Sequence, residues 1–220
     1  MAYTFTATAN STTTIGYATY GGTSWSRGSS NGACQGAYQN TSASGSRVGV
    51  MVFTNAGTVL KGKIIQSFAL SITCSSAGSG SSSKVLTFRK ANYQSLQTGI
   101  TGAAQVGDYL GTLTGKFYGN TTTHYFTPLT NSDLYYAIAA YLKAGNSALV
   151  IYNGETSSSS GYSTNYARIT SITITVYYEA ATVWYNKNGT WVQCAVYYNN
   201  GGTWVQVAPY YNSGGTWIQV

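Results

Sequence analysis

Acidic side chains are nearly missing from this chain. Its 220 residues include 4 Asp and Glu, against 11 Lys and Arg and 1 His. Only 7% of the residues are charged, where an ordinary soluble domain has about 25%. The surface must therefore be built mainly from Ser, Thr, Asn, Gly, Gln and Tyr. The net charge of +7 reflects the shortage of acids, because the bases are scattered from Arg27 to Lys187. Their tightest groups are Lys61 with Lys63, and Arg89 with Lys90. Nucleic-acid binding calls for cations gathered in a stripe, so no nucleic-acid partner is expected. A scattered positive charge suits weak attraction to anionic surfaces.

Cysteine and proline are scarce too, at 3 and 2 residues. Cys34, Cys74 and Cys194 are odd in number, which rules out a disulfide framework as the source of stability. Cys74 lies on the apolar face of an alternating segment and reads as a core residue. Cys194 stands where the later repeats have Val207 and Val220. Cys34, in NGACQGAY, is the one cysteine whose setting the sequence leaves open, and nothing nearby activates it. No apolar run approaches the roughly 18 residues of a membrane span. The opening MAYTFTATANSTTTIG has neither the basic nor the apolar region of a secretory signal, so the sequons at Asn10, Asn40, Asn120 and Asn188 are not expected to carry glycans.

Catalytic groups are equally thin. The acids are Asp108, Asp133, Glu155 and Glu179, and the histidine is His124. Asp133 reads as a helix-capping residue, Glu155 sits in the turn-like NGE, and Glu179 ends a strand. Two carboxylates suffice for a glycosidase, but no pair is singled out, and no cysteine is tied to His124 by spacing. Ligands at zinc spacing and a phosphate-cradling Gly loop are both missing. The expectation is a protein that is not an enzyme and uses no metal or cofactor.

What is abundant is aromatic and β-forming. Hydrophobic residues make up 43% and aromatics 15% of the chain, with 26 Gly, which argues for a turn-rich β fold and against disorder. RVGVMVF (47–53), IIQSFALSITC (64–74), KVLTFRK (84–90) and RITSITITVYY (168–178) read as strands. In the second, Phe68, Leu70, Ile72 and Cys74 alternate with Ala69, Ser71 and Thr73. In the last, Ile172, Ile174, Val176 and Tyr178 share a face. Period-two alternation of this kind marks an antiparallel sheet buried on one side. Further strands are expected at 124–129, 147–152, 3–9, 15–20 and 109–118. One helix is predicted in SDLYYAIAAYLKAG, with Ser132 and Asp133 as candidate N-caps and Gly145 as its end. The pattern predicts an all-β fold over 1–180, an antiparallel, jelly-roll-like β-sandwich with one short helix.

Residues 181–220 form a separate unit. They hold four of the 5 Trp and repeat with a period of thirteen as VWYNKNGTWVQC, VYYNNGGTWVQV and PYYNSGGTWIQV. Each copy reads as strand, Asn/Gly turn, strand, the Asn and Gly supplying the positive φ of a tight hairpin. A lone hairpin is marginal in water, so three in series must pack on something. Sugar rings present apolar faces that stack on Trp and Tyr, while amides bond their hydroxyls. The candidate carbohydrate-binding residues are therefore Tyr185, Trp191, Gln193, Tyr198, Trp204, Gln206, Tyr211, Trp217 and Gln219. The alternative role for these Trp is the small core that the hairpins need, and one ring can serve both ends.

The three repeats resemble the short Trp-containing repeats that end many minor structural proteins of phages and prophages of Gram-positive bacteria. SRVGVMVF, GKIIQSFALSIT, KVLTFRK, ALVIYNGE and NYARITSITITVYY are similar to the β-sandwich modules of such tail and baseplate proteins. This resemblance implies a virion structural protein of fibre or receptor-binding type; with the aromatic tail and the scattered positive charge, the expectation is a tail-fibre or baseplate component that binds host-surface polysaccharide or teichoic acid. It further implies contact with other virion proteins, a homotrimer, and no catalytic residues. A head-decorating or filament-forming subunit that assembles through its repeats is the second reading, and a polysaccharide depolymerase the third.

Overall fold

The computed structural model describes residues 2–10, 32–39, 44–75, 83–97, 102–117, 119, 121–155, 161–179, 183–194, 196–207, 210–213 and 216–219. Within the three repeats, side-chain placement is described only at Asn188, Tyr197, Asn199 and Thr203.

The fold is all-β, with antiparallel pairing and few helices. In chain order the first strands are β1 (Ala2–Asn10), β2 (Ala33–Gln39), β3 (Ser44–Arg47) and β4 (Gly49–Val52). Helix α1 (Ala56–Leu60) leads to β5 (Ile64–Cys74) and β6 (Lys84–Ala91). Helix α2 (Gly102–Gln105) runs into β7 (Val106–Gly115), followed by β8 (Thr121–Phe126) and helix α3 (Ser132–Lys143). Strands β9 (Ala148–Ile151), β10 (Gly161–Tyr162) and β11 (Ala167–Glu179) complete this part.

These strands form two sheets. The first has the order β10-β2-β11-β5-β8, with β1 also along β11 and β3 along β2, and the second has the order β4-β9-β6-β7. Strand β11 is central because it is long enough to pair with β5 on one side and with both β2 and β1 on the other. Its Ile172, Ile174 and Val176 are fully buried, as are Leu70 and Ile72 of β5. They merge with Leu86, Phe88, Leu149 and Ile151 of the second sheet into one apolar cluster. Each such side chain contributes about 1.5–3 kcal/mol by leaving water. Phe68 adds stacked contacts to Phe126, at 4.6 Å, and to Tyr135, at 6.0 Å between centroids.

The opposite face of the first sheet is polar by the same alternation. Strand β1 places Thr4, Thr6 and Thr8 there, beside Tyr177, Thr175 and Thr173 of β11. Across β11 stand Ser67, Ala69 and Ser71 of β5, and beyond them Tyr125 and Thr123 of β8.

Helix α3 spans both sheets. The Tyr135 hydroxyl donates to the Ile65 carbonyl of β5 at 2.6 Å. The Tyr141 hydroxyl accepts the Ala91 N–H of β6 at 3.0 Å and donates to the Ala91 carbonyl at 3.1 Å. The expected helix is present, but its cap differs. Asn131 is the N-cap, in the left-handed region at φ 51°, and its side chain makes no capping bond. Its amide instead donates to the Tyr125 carbonyl at 2.9 Å. Ser132 and Asp133 belong to the first turn, where the Asp133 charge suits the helix dipole. Gly145, at φ 95°, turns the chain away at the other end.

Two further corrections concern elements. Helices α1 and α2 stand beside α3, where one helix was expected; both are too short to carry a helical period. Strand β2 was not anticipated, since ACQGAYQ shows no alternation of apolar and polar residues. Among the other expected strands, 3–9, 109–118, 124–129 and 147–152 correspond to β1, β7, β8 and β9 within a few residues. The segment 15–20 lies outside the described residues.

Candidate functional site

Each repeat contains a two-stranded antiparallel ladder. Strand β12 (Val183–Lys187) pairs with β13 (Thr190–Cys194), β14 (Val196–Asn200) with β15 (Thr203–Val207), and β16 (Tyr210–Ser213) with β17 (Thr216–Gln219). The first turn has Asn188 at φ 53° and Gly189 at φ 86°, the second Gly201 at φ 60° and Gly202 at φ 93°. Positive φ at both central residues is the type I′ geometry that matches strand twist. Asn199 steadies its turn by accepting the Gly202 N–H on its side-chain oxygen at 2.6 Å.

The register then divides the candidate residues. Asn186 is opposite Trp191 and Trp184 opposite Gln193, so these four share one face of the first ladder. The second ladder repeats the arrangement with Asn199, Trp204, Tyr197 and Gln206, and the third with Asn212, Trp217, Tyr210 and Gln219. Tyr185, Tyr198 and Tyr211 pair with Val192, Val205 and Ile218 and belong to the other face. The candidate Trp and Gln are thus brought together in every copy, and the candidate Tyr are not. The ring sharing their face is Trp184, Tyr197 or Tyr210, which sequence reasoning left out. A signal for it was present: with a two-residue turn at Asn188 and Gly189, counting outward pairs Trp184 with Gln193. Tyr197 is 52% exposed, so the Trp-bearing face meets solvent at that position.

The titratable groups are dispersed among structural tasks. Asp108 pairs with Lys90 at 2.9 Å on an exposed edge. Glu155 accepts bonds from the Ser163 hydroxyl at 2.6 Å and from the Asn165 side-chain amide at 2.8 Å. Burial pushes its carboxyl up, but these bonds, with others from the Asn165 backbone and Asn153, hold it below the ordinary value. His124 lies opposite Leu70 in the ladder, and burial lowers its pKa. Its Nε2 is 3.2 Å from the Thr122 hydroxyl, and its ring is tilted against Phe117 at 5.3 Å.

The setting of Cys34, open in the sequence, is decided by the fold. It is buried in β2, with the Tyr166 hydroxyl donating to its sulfur at 3.7 Å, and burial raises its pKa. Cys74 is in the core as expected, its pKa pushed up to about 12 by burial and by nearby Cys34. The Cys194 side chain lies outside the described ones. No group of three or more His, Cys, Asp and Glu among the described residues is arranged to hold a metal ion. No helix among them is long and apolar enough to cross a membrane.

A cleft of about 450 Å³ opens between α3 and the β6–β7 edge, lined by Lys90, Tyr109, Tyr141 and Asn146 over Ala137, Ala140 and Ala144. Its floor is small and apolar, and its cation is already paired with Asp108. Neither a family model nor a curated protein matches this chain.

Proposed function

We propose that this chain is a structural protein of a phage virion, a tail-fibre or baseplate component that binds host-surface glycan without cleaving it. In this reading residues 1–180 are a jelly-roll-like β-sandwich, and 181–220 are a tail of three hairpins that presents the aromatic rings. The observation that carries it is the register common to the three ladders. It sets a Trp, an Asn, a Gln and a second aromatic on one face in each copy. A ring beside amides is what a sugar needs, one to stack on its C–H face and the others to bond its hydroxyls. Three weak sites in series bind a polymer far more tightly than one. The scattered positive charge adds attraction to teichoic acids, which salt would weaken.

The second reading, assembly of a head or filament through the repeats, is favoured by one observation. Among the described residues each ladder has two strands, and an unpaired outer edge is a template for strand addition.

The two readings separate on Gram-positive cell walls and on sedimentation. Tyr197→Ala and Trp204→Ala should each lower wall binding by about tenfold, the scale of one lost stacking contact, with Tyr198→Ala a smaller effect. Unchanged binding in all three, together with loss of the oligomer, would transfer the hairpins to assembly.

A further inference from the structure

The outward face of the first sheet is chemically uniform in a way that folding does not require. From Thr4 to Thr8 on β1, Ser171 to Tyr177 on β11, Ser67 to Thr73 on β5 and Thr121 to Tyr125 on β8, every outward position is Thr, Ser or Tyr except Ala69. No charge interrupts it, and the nearest charged residues along β11, Arg168 and Glu179, lie beyond its two ends.

The hydroxyls on this face are paired across strands. Thr8 meets Thr173 at 2.7 Å, Thr73 meets Thr121 at 2.7 Å, and Ser71 meets Thr123 at 2.9 Å. Thr6 donates to Thr175 at 3.4 Å. A hydroxyl carries one donor and two lone pairs. Each pair therefore consumes one O–H and leaves the other, with the remaining lone pairs, to solvent. Thr is stiff at χ1, and the mutual bond pins it further, so an incoming ligand freezes little side-chain motion.

At one end of the face stand two exposed rings, Tyr125 at 64% and Tyr177 at 45%. Between them lies Ala69, 7% exposed, which is next to Tyr125 in the ladder, while Tyr177 is next to Ser67. Two strand spacings across and two residues along separate the two positions, about 12 Å between their Cα atoms. The one position without a hydroxyl is thus a small apolar residue with an exposed aromatic on the strand at either side.

We propose that this face is a binding surface for a neutral polysaccharide, with one sugar ring seated over Ala69 between Tyr125 and Tyr177 and the chain continuing along the paired hydroxyls. Charge decides the ligand class. A nucleic acid or anionic polymer needs Lys or Arg, and the centre of a protein interface is apolar and aromatic. A neutral polyhydroxylated chain needs what is here: donors and acceptors in fixed rows, and rings for C–H faces. The proposal extends the glycan reading to a second surface and does not depend on the hairpins.

The test is retardation of the full-length protein in native gels containing dextran, galactomannan or a mixed-linkage glucan, with the hairpin variant Tyr197→Ala run alongside. At least one polymer is expected to retard the protein equally in low salt and in 0.5 M salt. Tyr125→Ala and Tyr177→Ala should weaken that retardation by tenfold or more, Tyr125→Phe should restore it, and Tyr197→Ala should weaken it less than either. Thr173→Val, which removes one hydroxyl at constant shape, should weaken it severalfold, and a thermal melt keeps folding defects apart. Retardation by none of the polymers would overturn the proposal. So would retardation that survives loss of both tyrosines, or that vanishes only in Tyr197→Ala. A dimer in sedimentation that dissociates in Tyr125→Ala would overturn it as well, giving the face to a second copy.

Discussion

Gln35 and Thr87 join the two sheets through a buried amide: the Thr87 N–H of β6 donates to Gln35 Oε1 of β2 at 2.9 Å. The other end of the same side chain donates to the Val85 carbonyl at 2.6 Å and to the Asn165 carbonyl at 2.9 Å. The ladder of β6 with β9 covers only Phe88 to Lys90, so this stretch of β6 needs partners from elsewhere. Gln35 takes the place of a strand there, Asn165 Oδ1 accepts the Val85 N–H at 3.0 Å, and the Tyr152 N–H closes on the Thr87 carbonyl at 3.0 Å.

Gln35→Leu should therefore destabilise the protein more than its size suggests. It leaves the Thr87 N–H and the Val85 carbonyl without partners, and a buried polar group so stranded costs about 1–3 kcal/mol. The expected loss is about 2–4 kcal/mol, read as a lower urea midpoint at constant slope. A loss under about 0.5 kcal/mol would mean that water or a shifted backbone replaces the amide.

Stability should fall in acid in two separable steps. The folded-state pKa of His124 is lowered by burial. The unfolded chain therefore takes up that proton first as pH drops through about 6.5, and stability declines from there. Glu155 is also held below its ordinary value in the fold. Its contribution is present above about pH 4.3 and is lost as pH falls through the lower folded value. His124→Gln should flatten the upper step and Glu155→Gln the lower one in urea midpoints across pH. Steps that persist in both variants would assign the acid sensitivity to other groups.

Thiol reactivity should be confined by burial. The thiolate is the reactive form, and burial raises the pKa of both Cys34 and Cys74. Native protein exposed to iodoacetamide at pH 8 should carry label on neither residue by mass spectrometry, while urea-unfolded protein should carry it on both. Fast native labelling of Cys34 would show that β2 opens from β11 far more readily than its buried ladder implies.

How legible the elements were follows from how local their causes are. Strands β5 and β11 could be read because one face is apolar and the other carries hydroxyls, an alternation complete within each segment. Strand β2 could not, because Ala33, Cys34, Gln35 and Ala37 are all buried on both of its faces, and its pairing with β11 and β3 explains that where no alternation does. The Asn131 cap depends on a left-handed backbone and a bond to Tyr125 that no pattern of helix formers announces. The face division of the hairpins was written in the position of the turn, and simple counting recovers it.

The sequence by itself determined the all-β character, the two chemically distinct faces of β5 and β11, the hairpin turns and the poverty of catalytic groups. Each of these rests on local rules: side-chain alternation, turn geometry and composition. Only the tertiary structure decided which rows lie side by side. Thr8 reaches Thr173 across 165 residues, and Ser71 reaches Thr123 across 52. Strand pairing satisfies the backbone without regard to separation along the chain, so a continuous hydroxyl surface flanked by Tyr125 and Tyr177 exists only once the sheet has formed.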